Sequence, residues 1–253
     1  MVNNSLVIQN LKIQVKQTVV VERVNLKIKP ATVVALMGPN GSGKSSLGYA
    51  LMGHPDYQAI SGQVLLNGQD LLDLSPDERA QVGLFLAFQY PVAVEGVRYE
   101  RFLWEAYKAR FAKTEPRSNR KITQVTQFHQ HLLDLTKSLS INQKLLERSL
   151  NLGFSGGEKK RLEVLQLLLL EPRYAVLDET DSGLDIDAVK LVAKGIKLAV
   201  EKNHTGVLLI THYRRILDYV KPDKVLVMNQ GKIAMSGGFE LVERLEAEGY
   251  KGL

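Results

Sequence analysis

A strand pattern that runs directly into a glycine-rich turn limits the possible folds more than any other stretch of the sequence. Residues 32–37 form a continuous apolar run, which is typical of a strand covered on both faces. The run stops at Gly38-Pro39-Asn40-Gly41-Ser42-Gly43, which favours a turn, and a helix is predicted from near Lys44 to Gly53. A buried strand, a tight turn and a helix in this order predict an α/β fold.

The turn has the spacing G-x-x-x-x-G-K-[ST], from Gly38 to Ser45. Its glycines let backbone N–H groups face an anion, and the start of the following helix adds partial positive charge. We expect Lys44 to reach the β- and γ-phosphates of a nucleotide, Ser45 to offer its hydroxyl to Mg²⁺, and Ser46 to bind a phosphate. The sequence therefore predicts a nucleotide site at this turn.

The hydrophobic pattern of the C-terminal half predicts more units of the same kind. Apolar runs at 174–177, 207–210 and 225–228 predict strands, and helices are expected at 158–170 and 186–201. Because strands that alternate with helices are joined by crossovers, we expect a mostly parallel sheet.

The remaining regions have different hydrophobic patterns. The first thirty residues alternate apolar and polar positions, which predicts antiparallel hairpins, and Asn67-Gly68 predicts the turn of a further hairpin. Ser75-Pro76-Asp77-Glu78 has the form of a helix start. From about residue 91 to residue 151, spaced apolar residues fit amphipathic helices and buried-strand runs are missing, which predicts a helical insertion.

Two further motifs indicate residues for metal binding, catalysis and anion binding. The apolar run at 174–177 ends in Asp178 and Glu179, so the strand delivers two carboxylates at its carboxyl end. We expect Asp178 to hold Mg²⁺, directly or through water, and Glu179 to polarise an attacking water. Ser155-Gly156-Gly157 opens a helix and predicts a second anion site. Because the turn at Lys44 already serves the phosphates of its own chain, the second site is expected to clamp a γ-phosphate bound by another copy.

The order of the motifs resembles the ATP-binding cassette (ABC) ATPases over nearly the whole chain. It reads: the turn at Lys44, Gln89, Ser155-Gly156-Gly157, Asp178-Glu179, Ser182-Gly183-Leu184-Asp185 and His212. Within that family the chain is more similar to the SufC-type ATPases of the SUF iron–sulfur cluster assembly system. The residues that depart from the transporter pattern in that direction are Phe154, Glu158, Thr180-Asp181 and Gly183.

This resemblance implies a parallel P-loop (RecA-like) sheet core, an antiparallel β subdomain and a helical insertion in one ABC ATPase domain. The core is expected at 1–90 and 165–253, and the helical subdomain at 91–164. The resemblance further implies that Glu179 is the catalytic base and that His212 contacts the γ-phosphate and holds the water. Gln89 is expected to sense the metal and the water, and Asp185 to bridge two halves of a dimer.

The implied activity is hydrolysis of ATP with Mg²⁺ in a transient, ATP-dependent head-to-tail dimer. Ser155, Gly156 and Gly157 then complete the site of the second subunit. The implied partners are SufB- and SufD-like scaffold proteins that dock near residues 89–101, so that hydrolysis drives iron–sulfur cluster assembly. The alternative is the nucleotide-binding subunit of an ABC membrane transporter. A nucleotide-gated structural or nucleic-acid-associated ABC protein is the third class, although the chain has no long coiled coil and no tandem cassette.

Composition excludes several classes of site. The chain has 253 residues and no cysteine, so it forms no disulfide and binds no cluster through its own thiolates. Its apolar stretches are far short of a bilayer span and no leader pattern is visible, so we expect a cytoplasmic protein without direct membrane insertion. The formal net charge is +6, with the densest basic excess at 101–121. A solvated surface is the favoured interpretation and a partner-binding face the alternative; no direct nucleic-acid binding is expected.

Three points stay open at this level. Lys159 and Lys160 follow the second glycine turn, and either they are solvated or one of them pairs with Glu179 and restrains it in the resting monomer. His129 and His131 are two residues apart, which places them on different sides of a helix and argues against a metal site. No aromatic residue lies at 16–23, where ABC ATPases often stack adenine, so the preference between ATP and GTP cannot be argued.

Overall fold

A six-stranded sheet, a four-stranded sheet and a region of helices make up the structure, a computed structural model that describes residues 5–116 and 121–250. The strands are β1 (Leu6–Val15), β2 (Thr18–Ile28), β3 (Val33–Met37), β4 (Tyr57–Leu66), β5 (Gln69–Asp70), β6 (Leu84–Ala87), β7 (Val94–Arg98), β8 (Ser149–Leu150), β9 (Tyr174–Asp178), β10 (Gly206–Ile210), β11 (Lys224–Asn229) and β12 (Lys232–Gly237). The helices are α1 (Lys44–Met52), α2 (Pro76–Val82), α3 (Tyr99–Arg110), α4 (Val125–Ser138), α5 (Gly156–Leu170), α6 (Ile186–Asn203), α7 (Arg214–Val220) and α8 (Glu240–Glu248), with a 3₁₀ turn at Gln143–Glu147.

The six-stranded sheet has the order β12-β11-β3-β10-β9-β6. All neighbouring strands from β11 to β6 run parallel, and β12 alone pairs antiparallel, with β11. The expected mostly parallel sheet is therefore confirmed. β6 and β12, which the hydrophobic pattern did not indicate, form its two edges.

Alternating side chains of the parallel strands pack into two apolar layers, one on each face of the sheet. In β3, Val33, Ala35 and Met37 pack into the layer that contains α5 and α6. Val34 and Leu36 point the other way, into the layer that contains α1 and the antiparallel sheet. Because both faces are covered, all five β3 residues are buried, which explains the unbroken apolar run in the sequence.

The antiparallel sheet has the order β2-β1-β4-β5. The short runs of the first thirty residues form one long β1–β2 hairpin whose register shifts three times, between Ile8 and Leu11, Leu11 and Ile13, and Ile13 and Gln14. These irregularities explain why the sequence pattern is broken into pieces. The predicted Asn67-Gly68 turn joins β4 to β5, with Leu66 paired to Gln69.

Helix starts follow the local chemistry that the sequence predicts. Ser75 and Glu78 form a capping box at α2, with Pro76 as the first helical residue. Gly43 precedes α1 without any side-chain cap, and the first turn of α1 contains no acidic residue. The amide groups at the start of α1 are therefore left for an anion rather than for a side chain of the same helix.

The region from β7 to α5 is mainly helical, although it also contains a strand pair. β7 and β8 pair antiparallel, and all five residues of β7 are exposed. The helix α5 extends across residue 164, so the proposed boundary of the helical subdomain at that position stays a prediction. Of the basic stretch, Lys108 pairs with Glu105 and Lys121 with Glu115, whereas Arg117 and Arg120 lie outside the described residues. Within the described ranges no helix is both long and apolar enough to cross a membrane.

Candidate active site

Four neighbouring parallel strands bring the predicted site residues to one edge of the sheet. The glycine turn follows β3, Glu179 follows β9, and His212 lies two residues after the end of β10. Gln89 lies two residues after β6, the edge strand next to β9. Since parallel strands place their carboxyl ends on the same side, the strand order alone assembles this group.

The glycine turn folds around the side chain of Lys44. Its Nζ donates to the carbonyl oxygens of Gly38 and Pro39, both at 2.9 Å, and to Ser42 Oγ at 3.3 Å. Burial lowers the pKa of Lys44 to about 8, although the negative charges of Glu179 and Asp178 oppose the shift. The lysine therefore remains largely protonated at neutral pH and can donate to phosphate oxygens.

Gly43 occupies a position that no other residue fits without strain. Its φ is +104°, and a Cβ built there would lie 2.6 Å from the carbonyl oxygen of Val20. The antiparallel sheet thus contacts the turn directly at this residue. The requirement for glycine here is set by the packing of the chain itself.

Glu179 is held in place by two side chains. Gln89 Nε2 donates to Glu179 Oε2 at 2.7 Å, and His212 Nε2 lies 3.1 Å from Glu179 Oε1. The backbone of Glu179 is left-handed, with φ +47°, and its N–H donates to the carbonyl oxygen of Ile210 at 2.9 Å. Both carboxylate oxygens are therefore already engaged by protein groups.

The surroundings of His212 favour its neutral form. Burial lowers its pKa, the positive charge of Lys44 lowers it further, and the Glu179 carboxylate opposes both effects. A neutral imidazole that faces a carboxylate through Nε2 carries its proton on that nitrogen. His212 can therefore donate one hydrogen bond in the site without adding charge.

Asp178 and Ser45 fit a magnesium ion. The Ser45 hydroxyl hydrogen-bonds the Asp178 carboxylate, and Asp178 Oδ1 is buried without a hydrogen-bond partner among the described residues. Burial raises the pKa of Asp178 to about 6. An unpaired buried carboxylate oxygen beside a hydroxyl is an oxygen donor set that suits Mg²⁺. Across residues 5–116 and 121–250 no three His, Asp or Glu side chains converge as metal ligands, so phosphate or water oxygens must supply the remaining ligands.

These residues surround one open cavity of about 470 Å³. It is lined by Val20, Asn40, Gly41, Gly43, Lys44, Ser45, Ser46, Gln89, Glu179 and His212. Val20, one of the lining residues, belongs to the stretch without aromatic residues. The predicted phosphate ligands, the water-polarising carboxylate and the two polar residues around that carboxylate are therefore brought together by the fold.

Comparison with known proteins identifies the family. The ABC transporter family model matches residues 21–182. Vegetative protein 296 of Bacillus subtilis (strain 168) is 47% identical over 250 residues, which cover 99% of this chain and 93% of that protein. A probable ATP-dependent transporter, ycf16, of Trieres chinensis is 44% identical over 97% of this chain and 96% of its own length. The chain belongs to the ABC transporter ATPase family.

The solved structures agree with this assignment at the level of the fold. An ATP-binding subunit of an ABC transporter superposes with a TM-score of 0.77 at 23% identity, covering 98% of this chain and 95% of that chain. A dimeric bacterial ABC transporter cassette also gives a TM-score of 0.77, at 18% identity, over 92% of this chain and 98% of that chain. The predicted ABC ATPase fold is confirmed. The protein is an ATP-binding ATPase, and we refer to it below as the cassette.

The second glycine turn of the cassette lies outside the cavity. Ser155 Oγ accepts from the Glu158 N–H at 3.2 Å, and Glu158 Oε2 accepts from the Ser155 N–H at 2.8 Å, so the two residues cap α5. Ser155 and Gly156 are exposed, and Gly157 is half-buried. Asp185, also exposed, caps α6 by accepting from the Ala188 N–H at 2.8 Å. The predicted roles of these residues stay predictions.

For Lys160, the alternative of a contact with Glu179 is not what the structure shows. Lys160 Nζ instead lies 2.9 Å from Glu163 Oε2 and donates to the carbonyl oxygen of Phe88 at 2.7 Å. Both side chains of the Lys160–Glu163 pair are 7% exposed. The physical reason is that Glu163 lies three residues further along the same helix, within reach of Lys160, whereas Glu179 contacts Gln89 and His212.

The Lys160 contact was not visible in the sequence. It ties the helix that begins at the second glycine turn to Phe88, the residue before Gln89. A lysine with an acid three residues later on a helix is a common surface pattern. The one sequence signal that could have distinguished it is its position within the apolar α5 segment, where both side chains become buried.

Proposed function

We propose that the cassette is the ATPase subunit of an iron–sulfur cluster assembly machine of the SUF type, active as an ATP-dependent head-to-tail dimer. The proposed dimer is supported by the separation of the two glycine turns. The cavity contains Lys44, Glu179 and His212, whereas Ser155 and Gly156 of the second turn lie outside it and face solvent. The proposed assembly role is supported by Phe154, Glu158, Thr180-Asp181 and Gly183, where the sequence differs from the usual transporter pattern.

In this proposal the residues of one subunit bind the phosphates and prepare the water. The N–H groups of the turn before α1 and Lys44 Nζ donate to phosphate oxygens, and Ser45 and Asp178 hold Mg²⁺. When bound, Mg²⁺ neutralises negative charge on the phosphate oxygens. Glu179 orients the attacking water and accepts its proton, while neutral His212 donates a hydrogen bond toward the γ-phosphate or the water. The partner subunit's glycine turn adds donors at the opposite side of the γ-phosphate.

The contacts of Glu179 support a low activity for the isolated cassette. Each of its two carboxylate oxygens already has one polar contact, with Gln89 or with His212, so a water molecule must share a carboxylate whose orientation these contacts fix. Gln89 is the residue that can transmit a change in this orientation, because it lies between β6 and the exposed β7 segment. A partner that moves this segment would release Glu179.

Exposed apolar residues after Gln89 support a protein-docking surface there. Tyr90 is 80% exposed and Val92 is 75% exposed, and Val94 and Val97 on β7 are also exposed. Neighbouring exposed apolar side chains of this size commonly mark protein interfaces. We propose that a SufB- or SufD-like scaffold protein docks on this surface in the cytosol, one copy of the cassette on each scaffold.

A membrane transporter is the second candidate. The names of its relatives favour it, since they include a probable ABC transporter ATP-binding protein of Streptococcus pyogenes and the probable ATP-dependent transporter of Trieres chinensis. The nucleotide chemistry is the same in both cases, and the partner differs. A permease on the Tyr90–Val97 surface would replace the scaffold pair.

Co-purification from native extract separates the two candidates. Wild-type cassette and a Val92→Asp variant are used as baits, with Val125→Asp as the matched control because Val125 is also exposed, at 57%, but lies on α4. We expect a scaffold pair in the fraction that does not sediment with membranes, lost in Val92→Asp and kept in Val125→Asp. Recovery of an integral membrane protein instead would favour the transporter.

Sedimentation tests the dimer. Glu179→Gln with saturating ATP and Mg²⁺ is expected to sediment as a dimer because the nucleotide is held and not hydrolysed, whereas the same variant without nucleotide is a monomer. Glu201→Gln, an exposed acid on α6, is the matched control and is expected to hydrolyse ATP like wild type. A monomer under all conditions, even with the scaffold present, would contradict the proposal.

A further inference from the structure

A buried carboxylate lies between the two segments that carry Glu179 and His212. Asp181 is the second residue after Glu179, Thr211 directly precedes His212, and both are fully buried. The Thr211 hydroxyl oxygen lies 3.0 Å from both carboxylate oxygens of Asp181. A buried carboxylate costs several kcal/mol unless other groups compensate it, so its position needs an explanation.

The Thr211 hydroxyl also fixes the backbone on the other side of His212. The N–H of Tyr213 donates to Thr211 Oγ1 at 3.0 Å, so His212 is the central residue of a turn closed by this hydroxyl. The hydroxyl hydrogen is thereby left for Asp181. The rotamer of Thr211, and with it the turn that carries His212, depends on the carboxylate.

Two more contacts join the same segments. The N–H of Glu179 donates to the carbonyl oxygen of Ile210 at 2.9 Å, and Arg215 Nη2 lies 3.4 Å from the carbonyl oxygen of Asp181. The segment after β9 and the segment after β10 are thus connected on both sides of the Glu179–His212 contact. Burial raises the pKa of Asp181 to about 6, and the Thr211 hydroxyl and the charge of Arg215 oppose this shift.

We infer that Asp181 and Thr211 are a positioning pair that sets His212 at the correct distance from Glu179 and from the γ-phosphate. This inference rests on the roles proposed above for Glu179 and His212. Neither Asp181 nor Thr211 lines the cavity, so they act through His212 and not on the nucleotide. A displacement of about 1 Å in a reacting group can cost two orders of magnitude in rate, so loss of the pair should be visible in kcat.

The chain provides a matched control at the other end of the same strand. Thr205 precedes β10 as Thr211 follows it, is equally buried, and donates its hydroxyl to the carbonyl oxygen of Pro172 at 2.8 Å. Thr205→Val leaves one backbone carbonyl oxygen unpaired, whereas Thr211→Val leaves the Asp181 carboxylate and the Tyr213 N–H unpaired. Thr211→Val should therefore lose more stability, and Thr205→Val controls for the loss of a buried hydroxyl at a site that is not next to His212.

The test measures kcat for ATP hydrolysis, the Kd for a non-hydrolysable ATP analogue, and the thermal unfolding midpoint. We expect Thr211→Val to lower kcat by roughly tenfold or more, with the Kd within about twofold of wild type. Thr211→Ser, which retains the hydroxyl, should restore most of kcat. Thr205→Val should retain wild-type kcat despite a lower unfolding midpoint.

The inference is overturned if Thr211→Val has the kcat of wild type, or if its kcat falls no further than that of Thr205→Val. It is also overturned if the kcat of Thr211→Ser is as low as that of Thr211→Val. Should Thr211→Val fail to fold, Asp181→Asn serves instead, compared with Asp181→Leu: the amide oxygen still accepts from Thr211 and should preserve more of kcat than leucine. Glu179→Gln in the same assay tests the proposed function separately. If Glu179→Gln hydrolyses ATP normally, the proposed roles fail, whatever the threonine variants show.

Discussion

The glycine turn before α1 and the glycine turn before α5 both open a helix, yet their surroundings are opposite. The first is packed against β2 and around Lys44, so that even a methyl group at Gly43 would collide with the Val20 carbonyl. The second has free space, since a Cβ built at Gly156 meets no atom of the described residues within 4 Å. Packing within the chain requires glycine in the first turn, whereas no such contact requires it at Gly156 in the part of the chain that the structure describes.

Their chemistry differs in the same sense. The first turn has no capping side chain and lies beside Glu179, His212 and Gln89. The second is closed by its own Ser155–Glu158 capping box and contacts solvent. In the function proposed above, the first turn belongs to the reaction centre of its own chain, and the second is the surface that a second copy would need. Substitutions at the two turns should therefore have different consequences.

The largest expected effect is on nucleotide binding at the first turn. Lys44→Met removes the cation that faces the phosphates and should weaken binding of a non-hydrolysable ATP analogue by roughly 100-fold, because the Coulomb attraction between the ammonium and the phosphates is lost. Lys159→Met, in the first turn of α5, is the matched control and should bind within about twofold of wild type. Calorimetric titration measures both. Equal affinities in the two variants would remove the distinction between the turns.

The next effect concerns hydrolysis at the second turn. Gly156→Leu fills the open space with a side chain, so the isolated cassette should fold and bind nucleotide normally but lose roughly tenfold to 100-fold in ATP hydrolysis. The rate is measured under conditions in which the wild type is dimeric. Normal hydrolysis by this variant would show that no group from another copy needs to enter that space.

A smaller effect is expected on stability. Gly43→Ala forces a side chain into a left-handed backbone beside the Val20 carbonyl and should lower the free energy of unfolding by roughly 3 kcal/mol. Gly156→Ala, at the start of a helix with free space, should be neutral or stabilising by up to about 1 kcal/mol. Urea unfolding of both variants gives the comparison. A destabilising Gly156→Ala would mean that the second turn is also constrained from within.

The last effect is a pH dependence of the unfolding free energy that comes from Asp178, beside the first turn. Because burial raises the pKa of Asp178 to about 6, the folded protein binds more protons than the unfolded chain between about pH 4 and pH 6. Without nucleotide and metal, this group should therefore lower stability by up to roughly 3 kcal/mol as the pH rises through that window. The difference in unfolding free energy between wild type and Asp178→Asn isolates the contribution. A difference that does not change with pH would place Asp178 in a more solvated environment than the structure gives it.

Features with a local cause are predictable from this sequence. The capping box at Ser75 and the turn at Asn67-Gly68 depend on neighbours within three residues, and both are confirmed. The convergence of Lys44, Glu179 and His212 is also predictable, because strands that alternate with helices end on one side of a parallel sheet. These inferences need only the order of the elements and no distances.

Features that depend on a choice between distant partners are not predictable in this way. Lys160 selects Glu163 and the Phe88 carbonyl, 72 residues away, rather than Glu179. The pairing of Asp181 with Thr211 joins residues 30 apart, and no spacing rule connects them. The edge strand β6 is short, and apolar and polar residues alternate only weakly in the sequence of β12. These two strands are therefore recognised from their pairing with β9 and β11 and not from the sequence pattern. Which group a buried polar side chain contacts is decided by packing that the sequence pattern does not contain.

The inward contacts of Lys44 have a thermodynamic consequence. Its ammonium group already donates to three oxygens of its own turn, so an incoming phosphate replaces some of these hydrogen bonds instead of adding new ones. The gain in hydrogen-bond enthalpy on this side chain is then small, and Coulomb attraction between the ammonium and the phosphates supplies most of its contribution. Because the Lys44 side chain is buried, salt screens this attraction only weakly, so the contribution of Lys44 to nucleotide affinity should persist at raised ionic strength.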